Sequence, residues 1–141
     1  MTTDKLLAAI KSWIELKAGS SLVGVSVYLR DTEQEKEPPM ITLKETGNEE
    51  HPVLRGVMTI DLEAILETVP GAADQEADTQ TMHEAKVNEL YEILADIGII
   101  QFCDAYPGLK VFDIRGFAPT NESDDQNRLT RFEMRAVACK R

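Results

Sequence analysis

The chain has 141 residues, a length that fits one domain with a single core, and 43% of them are hydrophobic, which excludes a disordered chain. Its 25 acidic residues against 15 basic ones give a net charge of −10, too negative for ordinary binding to a phosphate backbone and repelled by anionic membrane surfaces. No run approaches the ~20 apolar residues of a membrane span, and Met1-Thr2-Thr3-Asp4-Lys5 lacks the basic start and apolar stretch of a signal peptide, so a soluble intracellular protein is expected.

From Thr3 to Lys17, Leu6, Leu7, Ile10, Trp13 and Ile14 recur at helical spacing. Thr3 or Asp4 is expected to cap the helix start, and Gly19 to end it in the left-handed conformation. Leu22 to Leu29 alternates, with Val23, Val25, Val27 and Leu29 on one face, which predicts a strand. The charged stretch from Asp31 ends in Pro38-Pro39, which lack backbone donors, and reads as a loop. Met40 to Glu45 is a second strand, and Thr46 to Pro52 a polar connection.

The longest alternating stretch follows, from Val53 to Val69. Leu54, Met58, Ile60, Leu62, Ala64 and Leu66 fall on one side; Arg55, Thr59, Asp61, Glu63 and Glu67 fall mostly on the other. At ~3.3 Å per residue such a strand spans roughly 50 Å, more than a small domain needs. Part of it is therefore expected to project and meet another chain.

Gly71 to Asp78 is a small, acidic loop, and Thr79 or Thr81 opens a second helix whose inner face takes His83, Val87, Leu90, Leu94 and Ile97. Gly98 to Tyr106 breaks that period and is a short helical turn or loop. Lys110 to Phe117 alternates as a strand, Ala118 to Asn127 is a polar turn, and Arg128 to Cys139 closes with Leu129, Phe132, Met134, Ala136 and Ala138 on its apolar face. There are no internal repeats. The order α–β–β–β–α–β–β implies a single α+β domain over 1–141: a mainly antiparallel sheet of about five strands with two main helices packed on one face.

Groups that carry catalysis are sparse. GxSxG, Gly-rich phosphate-loop and HExxH motifs are absent. His51, after Glu49-Glu50, reads as a solvated loop histidine, and His83 as a structural one donating to a backbone carbonyl. Asp74, Glu76 and Asp78 match the first ligand positions of a calcium loop, but the sixth position is Thr79 and the twelfth Ala85, so a solvated acidic loop is expected, with a loose divalent site as the alternative. Cys103 and Cys139 lack metal-ligand spacing and read as free thiols in a reducing compartment, although a disulfide stays possible. Cys103 lies among Ile99, Ile100 and Phe102, apolar surroundings that raise a thiol pKa and leave it inert. The expectation is a non-enzyme without cofactor or metal. The rival of another class is a small metal-dependent enzyme built on His51, Glu49 and Asp61; a third is a cytoplasmic regulatory dimer that binds a protein partner.

The polar side of the long strand offers a ladder of carboxylates, and Arg128, Arg131 and Arg135, with Glu133 among them, lie along the last strand. Two arrangements follow. If the two strands face each other within one chain, the charges satisfy one another. If they lie at opposite edges, the same charges form a head-to-tail interface that closes into a ring.

The layout as a whole resembles a family. A helix and strand lead to Pro38-Pro39-Met-Ile-Thr-Leu43, then a polar excursion from Lys44 to Glu50 and the long strand Arg55-Gly-Val-Met-Thr-Ile-Asp-Leu62 running on to Pro70. A helix from His83 to Leu94, Val111-Phe-Asp-Ile-Arg-Gly116 and Thr130-Arg-Phe-Glu-Met-Arg-Ala-Val137 complete it. This is similar to the tail-terminator proteins of long-tailed bacteriophages, the family of the minor tail protein U of lambda-like phages, and to related head–tail joining proteins. The resemblance covers nearly the whole chain. It implies an α+β subunit that forms a hexameric ring on the end of the tail tube, stops tube polymerisation and offers a surface to the filled capsid. The implied partners are copies of itself, the tail-tube protein and a head-completion or connector protein, with DNA passing through the pore without specific binding. The implied location is the virion tail, with free subunits in the host cytoplasm. A neck or head–tail completion adaptor of the same fold is the alternative within the family. The family carries no catalytic residues. Its contact elements correspond to Lys44–Pro52, Gly71–Asp78 and Ala118–Asn127, and the expected assembly contacts are Glu49, Glu50, Arg55, Asp61, Glu63, Asp74, Asp78, Arg128, Arg131 and Arg135.

Overall fold

The first apolar repeat becomes α1 (Thr2–Lys17), which buries Leu6, Leu7, Ala9, Ile10, Trp13 and Ile14 along one side. A computed structural model describes residues 2–30, 37–69, 80–116, 118–123 and 128–141. After a 3-10 turn (Ser20–Leu22) come β1 (Ser26–Leu29), β2 (Met40–Glu50), β3 (Met58–Thr68), α2 (Gln80–Ala95), α3 (Gly98–Asp104), β4 (Leu109–Gly116), β5 (Thr120–Asn121) and β6 (Arg128–Lys140). The class is α+β, and the sheet is mixed: the order is β1-β2-β3-β6-β4, with β5 on β6. β1 runs parallel to β2, and the remaining pairs are antiparallel.

All three helices contribute to one core on one side of this sheet. Ile41 and Leu43 of β2, Ile60, Leu62, Ala64 and Leu66 of β3, and Phe132, Met134, Ala136 and Ala138 of β6 face it, as the two-residue period requires. Trp13 ties α1 to α2 by donating Nε1–H to Ile93 O at 2.9 Å, and its ring lies 5.2 Å from that of Phe102 on α3. Among the described residues no helix is long and apolar enough to cross a membrane.

Several local expectations are corrected. The long strand starts at Met58, not Val53, because Gly56 takes φ 79° and turns the chain. It does not project: β3 is a central strand, paired with β6 from Met58↔Ala138 to Thr68↔Arg128 and with β2 on its other side. Its length is matched by neighbours that are equally long. The supposed connection Thr46–Pro52 is mostly strand, since β2 continues to Glu50 past a bulge between Glu45 and Gly47; pairing to β3 outweighs the weak strand propensity of its acidic residues. β1 is shorter than predicted because Gly24, at φ 82°, interrupts the extended run and leaves Val23 exposed.

Thr3 sits inside α1 and is buried, and its hydroxyl accepts from Asn48 Nδ2 at 3.1 Å instead of capping the helix. Gly19 is extended, and its N–H donates to Glu89 Oε2 at 3.1 Å. Ile97 lies beyond the end of α2 and is exposed, while Lys86 and Ile93 take inner positions. Leu129 shares the face of Arg131; Thr130 holds the inward position instead. Gly98–Asp104 resolves as a helix, and the polar turn after β4 contributes the short strand β5.

Candidate assembly surface

The side of the sheet opposite the helices carries the charges singled out from the sequence. Antiparallel register places Asp61 opposite Arg135, and Glu63 opposite Glu133 and beside Ile65↔Arg131. Arg135 Nε donates to Asp61 Oδ1 at 2.8 Å, which raises the Arg135 pKa through that bond and the carboxylate charge, with a smaller push from Glu49. Glu63 is 2% exposed although no helix covers it. Lys44 Nζ lies 2.7 Å from its Oε1 and Arg131 Nε 3.2 Å from its Oε2, and Arg131 also reaches Glu122 Oε2 at 2.9 Å. Glu63 Oε1 and Arg131 Nε lack a partner at hydrogen-bond angles, so these contacts hold by charge and proximity.

Of the two arrangements open to the carboxylate and arginine ladders, the chain adopts the one in which their strands face each other. Asp61, Glu63, Arg131 and Arg135 are engaged within the chain. Glu49 and Glu50 end β2, Arg55 lies in the hairpin loop that follows, and Arg128 begins β6 opposite Thr68, at the far end of the sheet. Asp74 and Asp78, with the whole Gly71–Asp78 loop, lie outside the described residues. Lys44 and Glu122 were missed in the charge ladders; only strand register reveals that they join Glu63 and Arg131.

The groups considered for chemistry are spoken for by structure. His51 organises the hairpin loop, its Nδ1 accepting from Val53 N–H at 3.2 Å and Leu54 N–H at 3.1 Å. His83 is a buried, structural histidine, as expected, and it lies between two threonine hydroxyls: Nδ1 is 2.7 Å from Thr68 Oγ1 and Nε2 2.9 Å from Thr130 Oγ1. Burial pushes the Cys103 thiol up to about 12. Cys103 and Cys139 are both free. Among the described residues no three His, Cys, Asp or Glu side chains are grouped to hold a metal ion. A cleft of about 330 Å³ lies over the start of α1, β1 and β2, lined by Thr3, Asp4, Leu7, Leu29, Arg30, Lys44 and Glu45, and its mixed charges single out no ligand.

Among the described residues, each end of the sheet has a stretch of strand edge with no ladder partner. β1 stops at Leu29, opposite Leu43, and Arg30 N–H donates to Leu43 O at 3.0 Å. Beyond that point the outward edge of β2 has no ladder partner among the described residues. At the other end, Asp104 Oδ1 accepts from Val111 N–H at 2.9 Å and closes the first half of β4; that bond, with the charges of Lys110 and Arg141, holds the Asp104 carboxyl below its ordinary range. From Phe112 to Gly116 the outward edge is again without a ladder partner among the described residues.

The two ends differ in charge and in exposed apolar groups. The β2 end carries Glu45, Glu49 and Glu50 beside Arg30 and Arg55, and then Val53 and Leu54, which are 82% and 46% exposed. The β4 end gathers Lys110, Arg115, Lys140 and Arg141 around Asp104 and Asp113, with Phe112 exposed on the strand. Nothing in the charge pattern alone pointed to these edges, since they depend on where β1 stops and on which strand ends the sheet. No protein-family model matches the chain, and no curated protein matches it.

Proposed function

We propose that this chain is a structural subunit of the bacteriophage tail-terminator type. Copies associate head to tail into a closed ring, a hexamer by the resemblance, which caps the tail tube, ends its polymerisation and presents a surface to the head-completion or connector protein. The observation that supports this reading is a sheet whose two ends differ in charge and, among the described residues, each have a stretch of edge without a ladder partner. Contacts between different patches on identical subunits are heterologous, and they make rings when the rotation closes. Complementary charge favours such a contact over a two-fold pairing of like ends.

The acidic surface fits the same role. A charge of −10 per subunit, multiplied around a pore, presents a negative wall along which DNA moves without adhering. Free subunits reside in the host cytoplasm, and assembled ones in the virion tail. The intramolecular pairing of Asp61, Glu63, Arg131 and Arg135 moves the expected contact away from those residues and toward the sheet edges.

Sedimentation of the purified protein across concentration, followed by negative-stain imaging, tests the ring: closed particles of ~6 subunits are expected. In a tube-polymerisation assay, added protein shortens the tubes. A chain that stays monomeric alone and on tubes removes the reading.

A further inference from the structure

We propose that the hairpin loop between β2 and β3 is a pH-sensitive latch, closed by the neutral ring of His51 and released when that ring takes up a proton. The loop begins where Glu50 pairs with Met58. His51 N–H donates to Val57 O at 2.7 Å and extends the ladder by one bond. Gly56, at φ 79°, turns the chain, and Val57 N–H returns to Leu54 O at 3.3 Å. Within this frame the N–H groups of Val53 and Leu54 converge on a single atom, His51 Nδ1, at 3.2 and 3.1 Å. Pro52 has no N–H to offer, so the ring nitrogen caps the first two amides that follow it.

A ring nitrogen accepts only while it carries no proton. With Nδ1 as the acceptor, the neutral ring holds its proton on Nε2; in the imidazolium both nitrogens are donors. Protonation therefore sets a third N–H against the two amides, and the cap is lost. The other bonds of the loop do not involve the ring: two are between backbone groups, and Glu50 Oε1 accepts from Gly56 N–H at 3.4 Å. Release is thus confined to Val53 and Leu54, which are 82% and 46% exposed. The charged groups at this end of the sheet are Glu49 and Glu50 on β2, Arg55 in the loop, Arg135 and Lys140 on β6, and Asp4 on α1, whose start meets β2 through Thr3 and Asn48. Glu49 acts on Arg135, and Glu50 on Gly56. Among all these side chains only an imidazole ordinarily changes charge between about pH 5 and 8. The latch is closed above that range and opens as pH falls through it.

The test is a series of amide and imidazole NMR spectra from about pH 8 to 5. The Val53 and Leu54 amide protons are expected to move upfield together, with the midpoint of the His51 ring, whose signal is told from that of His83 by its loss in His51→Asn. Their exchange protection, corrected for the intrinsic effect of pH, is expected to fall about tenfold. His51→Asn keeps an acceptor beside the two amides and removes the titration, so their shifts should stay at the alkaline position throughout. His51→Ala should give the released shifts at every pH. Trp13 fluorescence, unchanged in both variants, checks that the core is intact. Amides that stay still while the His51 ring titrates overturn the latch. So do amides that titrate equally in His51→Asn, and a His51 ring that stays neutral down to about pH 5. The latch belongs to the single chain, and none of these outcomes depends on ring formation.

Discussion

Glu63 has almost no access to water on the side of the sheet that no helix covers. Lys44 and Arg131 each meet one of its carboxylate oxygens, and their side chains remain about one-third exposed, at 31% and 33%. The unequal exposure sets the cost of each deletion. Arg131→Ala leaves a buried carboxylate with one cation fewer and is expected to cost about 3 kcal/mol in urea unfolding. Asp61→Ala breaks a pair whose side chains are both at least 41% exposed, and its effect is expected to stay under about 1 kcal/mol. Two titrating groups add further tests. Cys103, held as the thiol up to about 12, stays unlabelled by a thiol reagent in the native protein at mildly alkaline pH, and Cys139 reacts first. Asp104 titrates below its ordinary 3.8 when folded. Its stabilising contribution is complete above that ordinary value and is lost as pH falls through the lower folded one. Asp104→Asn is therefore expected to flatten the acid limb of the stability profile below about pH 4.

At the scale of elements, α2 docks on the sheet through a polar contact inside an apolar layer. His83 spans from Thr68 on β3 to Thr130 on β6, so one side chain fixes the helix against two adjacent strands. Thr130→Val removes a partner while keeping the shape and is expected to cost about 1–2 kcal/mol, with amide exchange rising along α2. The elements most legible in the sequence are those whose period comes from burial: α1, β3, β6 and most of α2. Alternation misled where it ran past the fold, since Leu54 and Arg55 continue the phase of β3 only in the sequence and in space belong to a turn. The acidic half of β2 was illegible for the opposite reason. Glu49 and Glu50 read as loop, and they are strand because a long partner lies across from them. His83 was readable as structural, but its threonine partners are 15 and 47 residues away in sequence, and spacing along the chain does not show which distant strands converge. The ends of the sheet were illegible as well, because they are set by strand order.

For the whole molecule, one helical layer on one sheet makes a single core, and unfolding is expected to be cooperative. Trp13, the sole tryptophan, sits 5% exposed where α1, α2 and α3 meet. Its fluorescence and the far-ultraviolet dichroism of the backbone should therefore change along one denaturant curve; separated curves would mean that the helical layer detaches before the sheet. The central position of β3 also has a mechanical side. It is gripped on both flanks, by β2 and by β6, over its full length. A load along the strands meets both ladders in shear, where many bonds must slip together, whereas a load across them parts the sheet one bond after another. The chain is thus stiff in one direction and peelable in the other, and the axis of the load decides whether it holds.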